Sequence, residues 1–227
     1  MKTESGDTLN LYDTSAIAHA DLVRIMRRTG MATGLKVNGT DLVTDIRRQL
    51  RGPMHSSRRD PFSAGGTYDE FDVNSHAFGL VATAGLYHRL KGPSHFDRFA
   101  TRQRNWLLGG NGWGVSAMVG VGSRFPLCMQ HQVANLIGTT DGKRPIDLGA
   151  VVNGPNAASI FSDGLGGFQD AMVKCPGTRA SKYRPFDGRH SRCVDDVRSW
   201  QTNEPALDMT GATIIAAAVQ LSVHHGR

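Results

Sequence analysis

The sequence predicts an all-α protein with long loops, and three patterns lead to this prediction. Apolar residues recur at helical spacing in several segments, most of which end at a glycine or a Gly-Pro pair. Between Gly138 and Trp200 this periodicity is lost and turn-forming residues dominate, which predicts irregular backbone. Strand signals are weak, because glycines interrupt the apolar run from Val115 to Val121. No internal repeat or domain boundary is visible.

The first two helices are marked by their ends. One is expected from Asp13 or Thr14 to Arg28, with Gly30 as its C-terminal cap. The other is expected from Thr40 to Arg51 and to end at Gly52-Pro53, because proline interrupts helical hydrogen bonding. Their apolar faces are predicted to contain Ile17, Ala20, Val23 and Ile25 in the first helix, and Leu42, Val43, Ile46 and Leu50 in the second.

Four later segments also have helical spacing. Helices are expected from Ser75 to Leu90, from a Ser94 cap to Leu108, from Gln130 to Ile137, and from Ala206 to Val223. In the first two of these helices, the predicted buried residues are Phe78, Val81, Leu86 and Leu90, and Phe96, Phe99, Trp106 and Leu107.

The composition argues against several classes of function. The net charge is +6, but neither zinc-finger spacing nor aromatic residues interleaved with basic ones accompany it, so we expect no nucleic-acid partner. No apolar stretch reaches the roughly 20 residues that span a bilayer, so we expect no membrane partner. The polar N-terminus lacks the apolar segment of a secretion signal, and the cellular location stays open.

The three cysteines Cys128, Cys175 and Cys193 contain no CxxC pair. An odd number argues against a disulfide framework, although one bridge between Cys175 and Cys193 stays open. A metal site at Cys175, His190 and Cys193 would lack the paired spacing that zinc favours. We therefore expect no metal ion and no cofactor.

A glycine-rich turn that leads to a polar cluster is the first candidate for chemistry. It contains Trp113 and is followed by Gln130, His131 and Gln132. Flat aromatic rings stack on the apolar faces of sugars, while amide and imidazole groups bond sugar hydroxyls. These four residues are therefore candidate substrate-binding residues. On the residues alone, a tryptophan that anchors a loop and a buried histidine explain the pattern better than a sugar site does.

The second candidate is Glu204, which lies directly before the last predicted helix and four residues after Trp200. A carboxyl group beside an indole loses solvation, which raises its pKa towards the range that a general acid needs. A carboxylate at a helix N-terminus is instead favoured in its charged form. The residues alone leave open whether Glu204 is a catalytic acid or a capping residue.

These two segments resemble the two active-site signatures of glycoside hydrolase family 9. The residues in register are Ser116, Met118, Val119, Gly122, Arg124 and Met129 in the first signature, and Asp195, Trp200, Glu204 and Ala206 in the second. The family's functional His and Arg fall on Gln130 and Gln132, so the chain departs at both positions, with His131 between them. In the second signature, Cys193 replaces an aromatic residue and Thr210 an asparagine.

The resemblance implies a fold and a reaction. Family members are barrels of six helical hairpins, (α/α)6, that hydrolyse β-1,4-glucan with inversion, so the expected partner is a β-glucan polysaccharide or oligosaccharide. Glu204 matches the acid, Trp200 a substrate-binding position, and Asp195 an aspartate whose expected role is local hydrogen bonding. Asp195 or Asp196 could also be considered as a substitute base, because the family's Asp-Ala-Gly-Asp base motif does not occur in this sequence.

Residues 1–227 therefore resemble the C-terminal part of the catalytic domain, with the N-terminal half absent. A half-barrel predicts apolar flanks at Ile17/Val23 and Ile214/Leu221, which would bind the missing half or a second copy of the chain. Two alternatives remain: an inactive remnant or non-catalytic glucan-binding protein, and a nucleic-acid binder suggested by the charge. Hydrolysis of a soluble β-glucan separates the first alternative from an enzyme, and salt-sensitive DNA binding would identify the second.

Overall fold

The computed structural model describes residues 8–10, 12–30, 36–66, 71–136, 147–175 and 182–225. The chain forms two compact units. The first consists of Met1–Gly65, His76–Arg104 and Ala212–Arg227, and the second of Gly66–Ser75 and Asn105–Gly211. Three of the boundaries between these segments fall inside helices, so no linker composition marks them in the sequence.

The first unit begins with two helices whose ends follow from their capping residues. Helix α1, Ser15–Thr29, ends at Gly30 in the left-handed conformation, as predicted. Helix α2, Gly39–Ser57, begins with a reciprocal capping box between Asn38 and Asp41. The two helices share an apolar cluster of Val23, Met26, Leu42 and Val43.

Three expectations about these helices are wrong. Helix α2 does not end at Gly52-Pro53 but continues through Pro53 to Ser57. Packing stabilises the extra turn, because Met54 contacts the apolar cluster that contains Leu50. Ile25 of α1 is exposed rather than part of the apolar face, whereas Val23 is buried and therefore not an open flank.

Helices α3, Val73–Lys91, and α4, His95–Leu107, follow. Ser94 caps α4 as predicted, since its hydroxyl accepts a hydrogen bond from the Phe96 N–H at 3.2 Å. Buried residues of α2, α3 and α4 form the central cluster of the first unit, Leu50, Leu80, Ala84, Phe96, Phe99 and Ala100. A glycine at position 79 lets α3 approach the carbonyl oxygen of Leu9 directly.

The last helix, α7, is Leu207–His225 and has one buried and one exposed apolar face. Its buried residues include Met209, Ala212, Ala216 and Val219. Ile214 is 64% exposed and Leu221 59% exposed, as expected for an open flank. None of the described helices is both long and apolar enough to cross a membrane.

The second unit is mostly irregular, as the loss of periodicity predicts. It contains the short helices α5, Gln132–Leu136, and α6, Trp200–Asn203; the predicted end of α5, Ile137, lies outside the described residues. Two-residue strands β1, Asn156–Ala157, and β2, Ser191–Arg192, pair antiparallel. Isolated bridges join Met118 to Val151 and Val152 to Pro205. The second of these bridges holds the residue that follows Glu204.

Candidate functional site

Asp195 holds the loop that precedes the Gln-His-Gln cluster. Its Oδ1 accepts hydrogen bonds from the N–H groups of Leu127, at 3.1 Å, and Cys128, at 2.8 Å. The side-chain amide of Asn203 donates to the same oxygen at 3.1 Å. Asp195 is buried, and three donors bond to this one carboxylate oxygen. Asp195 therefore connects the loop at Leu127 and Cys128 to the segment that contains Asn203.

Asn203 completes the connection between the two segments that the sequence singles out. Its side-chain amide also donates to the Cys128 carbonyl oxygen, and its own carbonyl oxygen accepts from the Gln130 N–H at 2.9 Å. Asn203 directly precedes Glu204, so the backbone of Gln130 lies beside the residue next to the candidate acid. The structure therefore brings the backbones of the two signature segments into direct contact.

Glu204 lies between two helices and is held by its backbone. It follows the single turn of α6 in an extended conformation, and its carbonyl oxygen accepts from the Asn153 N–H at 3.1 Å. Burial of the half-buried side chain, together with the nearby charge of Asp208, raises the pKa of the Glu204 carboxyl group. Loss of solvation thus opposes the effect of the helix N-terminus.

Trp200 is the exposed aromatic residue nearest Glu204 in the chain. It begins α6, so the two residues are separated by one helical turn, a rise of about 6 Å. Its ring is 40% exposed and packs against Phe71, with 5.9 Å between the ring centroids. A ring that is partly covered and partly open can stack on a sugar without first losing much conformational freedom.

Trp113 does not have this geometry, and the expectation that it offers a sugar-stacking surface needs correction. Only 5% of the residue is exposed, and its indole N–H donates to Asp187 Oδ1 at 3.1 Å. The Trp113 backbone N–H donates to Asn111 Oδ1, also at 3.1 Å. A tryptophan bonded from both its ring and its backbone is an anchor of the glycine-rich turn.

The Gln-His-Gln cluster lies at the start of α5. His131 Nδ1 is 3.2 Å from the Ala134 backbone nitrogen and 3.4 Å from Asp147 Oδ2. A neutral imidazole with its proton on Nε2 caps α5 by accepting from Ala134, whereas a protonated one pairs with Asp147. Gln132 Nε2 donates to Asp170 Oδ2 at 3.0 Å.

The disulfide differs from the one left open by the sequence. Cys175 is bonded to Cys128, with 6.0 Å between their Cα atoms, and Cys193 is a buried free thiol. Burial, followed by the charges of Asp195 and Asp187, raises the pKa of the Cys193 thiol far above its usual value. Because Cys175 is in a disulfide, it cannot be a ligand in a metal site formed with His190 and Cys193.

The disulfide also contributes to the site. Cys128 donates to Asp195, accepts from Asn203, and is covalently tied to the segment that ends at Cys175. Asn135 holds that same segment through reciprocal bonds with the Val173 backbone, at 2.7 and 2.8 Å. The loop before Gln130 is therefore fixed from two sides.

Asp196 is engaged by a neighbouring arginine. Arg198 donates to both of its carboxylate oxygens, at 2.9 and 3.0 Å. Burial raises the pKa of Asp196, but the bonds from Arg198 outweigh that effect and leave the pKa below its usual value. Because Arg198 donates to both oxygens, Asp196 has a structural role rather than that of a base that activates water.

Three residues that hold the candidate site together are not identified by periodicity or composition. Asn203, Asn153 and Asp170 act through contacts to residues 38 or more positions away in the chain. Neither periodicity nor composition identifies such pairs. Asn153 and Asn203 could have been suspected only from their place in the stretches Asn-Gly-Pro-Asn and Asn-Glu-Pro.

Comparison with known proteins identifies a family for most of the chain. The model of the family "Glycosyl hydrolase family 9" matches residues 13–217. "Endoglucanase 20" of Oryza sativa subsp. japonica is 30% identical over 118 residues, which cover 44% of this chain and 22% of the rice protein. The match thus spans less than a quarter of that relative's length.

Solved structures show the same fold. A metagenome-derived glycoside hydrolase family 9 endoglucanase superposes with a TM-score of 0.65 at 19% identity, covering 96% of this chain and 34% of that one. The cellulase Cel9M of C. cellulolyticum in complex with cellobiose superposes with a TM-score of 0.56 at 18% identity, covering 97% and 43%.

These likenesses confirm a mostly helical fold that matches part of the solved family 9 structures, which are (α/α)6 barrels. The family match covers most of the chain and includes every candidate site residue. The chain belongs to glycosyl hydrolase family 9.

Proposed function

We propose that this chain forms the acid side of a site that hydrolyses β-1,4-glucan, with Glu204 as the general acid. The observation that carries the proposal is the hydrogen bond from the Gln130 N–H to Asn203, which joins the predicted sugar-binding loop to the residue before Glu204. The relative in complex with cellobiose supports a β-1,4-linked glucose oligomer as substrate. Trp200 supplies an aromatic surface, and Gln130, His131 and Gln132 supply polar groups for sugar hydroxyls.

A general acid must hold its proton at the pH of the reaction and release it to the glycosidic oxygen as the bond breaks. Burial and the charge of Asp208 both raise the pKa of Glu204, and each therefore favours the protonated form. The leaving sugar then departs as an alcohol rather than as an alkoxide, and Glu204 is left as a carboxylate.

Inversion requires a second carboxylate that activates water on the opposite face of the sugar, roughly 6.5–9.5 Å from the acid. Asp195 and Asp196 are both engaged in bonds that hold the backbone or Arg198. We therefore assign Asp195 a positioning role, and we propose that the base comes from a part of the family domain that these 227 residues do not match.

A non-catalytic glucan-binding role is the second candidate, because the same contacts form a sugar site without a base. The two roles differ in what a complementary N-terminal half would do. Adding that half should produce hydrolysis of soluble β-glucan if the chain belongs to an enzyme. Binding without hydrolysis in the joined protein would favour the non-catalytic role.

The acid role is tested with two substrates in the joined, active protein. Glu204→Gln should lower kcat on the natural polymer by about 100-fold or more, because its leaving group needs a proton. On a nitrophenyl cellobioside the loss should be much smaller, because nitrophenolate leaves unprotonated. Near-normal turnover of the polymer by the variant would refute the role of Glu204.

A further inference from the structure

A second exposed aromatic ring lies near Trp200, on a loop that the signature segments do not include. The Gly166 N–H donates to the Arg198 carbonyl oxygen at 3.0 Å. A Cβ atom added to Gly166 would lie 3.5 Å from Trp200 Cδ1, so this loop borders the indole directly. Phe168 follows two residues later, within about 7 Å of Gly166 along the chain.

Phe168 is supported from one side by a fixed cation. The Arg198 guanidinium lies 5.1 Å from the Phe168 ring centroid. Its two hydrogen bonds to Asp196 hold the guanidinium in place, and the lowered pKa of Asp196 keeps that carboxylate charged. Phe168 nevertheless remains 46% exposed. Since a guanidinium covers one face of the ring, the accessible surface belongs to the other face and the edge.

An aromatic ring that is about half exposed and held in place offers an apolar surface to a ligand. A ring held from behind loses little conformational freedom when a ligand stacks on its open face. The apolar face of a pyranose is a suitable ligand, and Trp200 offers a similar open ring beside the same loop.

We propose that Phe168 is a second sugar-stacking platform that binds another pyranose unit of the glucan chain bound at Trp200. The inference rests on the proposed function and adds to it a residue that sets the preferred substrate length. Trp200, one helical turn from Glu204, contacts the sugar near the scissile bond, while Phe168 contacts a unit farther along the chain. Longer oligosaccharides therefore gain affinity that short ones do not.

The test measures Kd by calorimetry for cello-oligosaccharides of two to six units, with the full chain and its variants. Affinity of the natural chain should increase with length. Phe168→Ala should weaken binding of the longest oligosaccharides by about five- to tenfold and leave the shortest unaffected. Phe168→Trp should keep the gain with length, whereas Phe168→Leu, which is apolar but not aromatic, should lose most of it.

Phe186 provides a matched control, because it is an exposed phenylalanine of the same unit, in the 3-10 turn Arg184–Phe186. Phe186→Ala should bind every oligosaccharide as the natural chain does. If Phe168→Ala also binds all lengths normally while Trp200→Ala weakens them, the second platform is wrong and the proposed function stands. If the natural chain binds no cello-oligosaccharide, the second platform is wrong, whereas the acid role of Glu204 is decided by the substrate comparison in the joined, active protein.

Discussion

At the scale of single residues, the proposed acid role of Glu204 depends on the surroundings of its carboxyl group. Its side chain is half-buried, and Asp208 is the charged neighbour that acts on it. Asp196 shows the opposite condition, since burial is outweighed by the bonds from Arg198 and its pKa lies below the usual value. Asp196 and Glu204 lie in the same segment, but their pKa values shift in opposite directions. Hydrogen bonds from Arg198 lower that of Asp196, whereas burial raises that of Glu204.

This environment predicts a dependence of stability on pH. The pKa of Glu204 is raised on folding, so its contribution to stability is complete below the unfolded pKa and is lost as pH rises through the folded pKa. Glu204→Gln should therefore melt like the natural chain in acid and at a higher temperature near neutral pH. Thermal denaturation of both proteins from pH 3 to pH 8 measures the difference. An equal Tm at all pH values would show that Glu204 is not desolvated.

At the scale of elements, helix ends were readable from the sequence, while contacts distant in sequence were not. Gly30 and the capping serine of α4 predicted their helix boundaries correctly. Pro53 failed as a stop signal because packing of Met54 outweighs one lost hydrogen bond. The partner of Cys175 and the burial of Trp113 depend on residues far away in the chain, which local pattern does not encode.

Two helical glycines of the first unit give a matched prediction. A Cβ atom at Gly79 of α3 would overlap the carbonyl oxygen of Leu9, whereas nothing lies within 4 Å of one at Gly52 of α2. Gly79→Ala should lower the free energy of unfolding by about 1–3 kcal/mol through this overlap. Gly52→Ala should be neutral or stabilise by up to about 1 kcal/mol, because alanine favours helix. Denaturant unfolding compares the two, and equal stabilities would show that Leu9 does not lie against α3.

At the scale of the whole molecule, the chain corresponds to about a third of the solved relatives' length. The apolar face of α7 at Ile214 and Leu221 is exposed, and its role in association can be measured. The sequence predicted this flank correctly but not the one at Val23, which α2 covers within the chain. A pattern of apolar residues indicates that a face is covered but does not identify what covers it.

The chain expressed alone is therefore expected to self-associate through α7. Replacing Ile214 and Leu221 by glutamate should shift it towards the monomer in sedimentation velocity, because exposed apolar area drives association. Ile25→Glu is the control, since Ile25 is also exposed but lies on α1. A natural chain that is already a monodisperse monomer would contradict the prediction.

The most direct test of the central claim, that Glu204 is held protonated to act as an acid, is its titration by NMR. The carboxyl carbon shift of Glu204 should follow a pKa above the roughly 4.3 of a free glutamate. Asp208→Asn should lower that pKa, because it removes the neighbouring negative charge. A pKa at or below the free value would mean that Glu204 is ionised before it can donate a proton, and the assignment would be wrong.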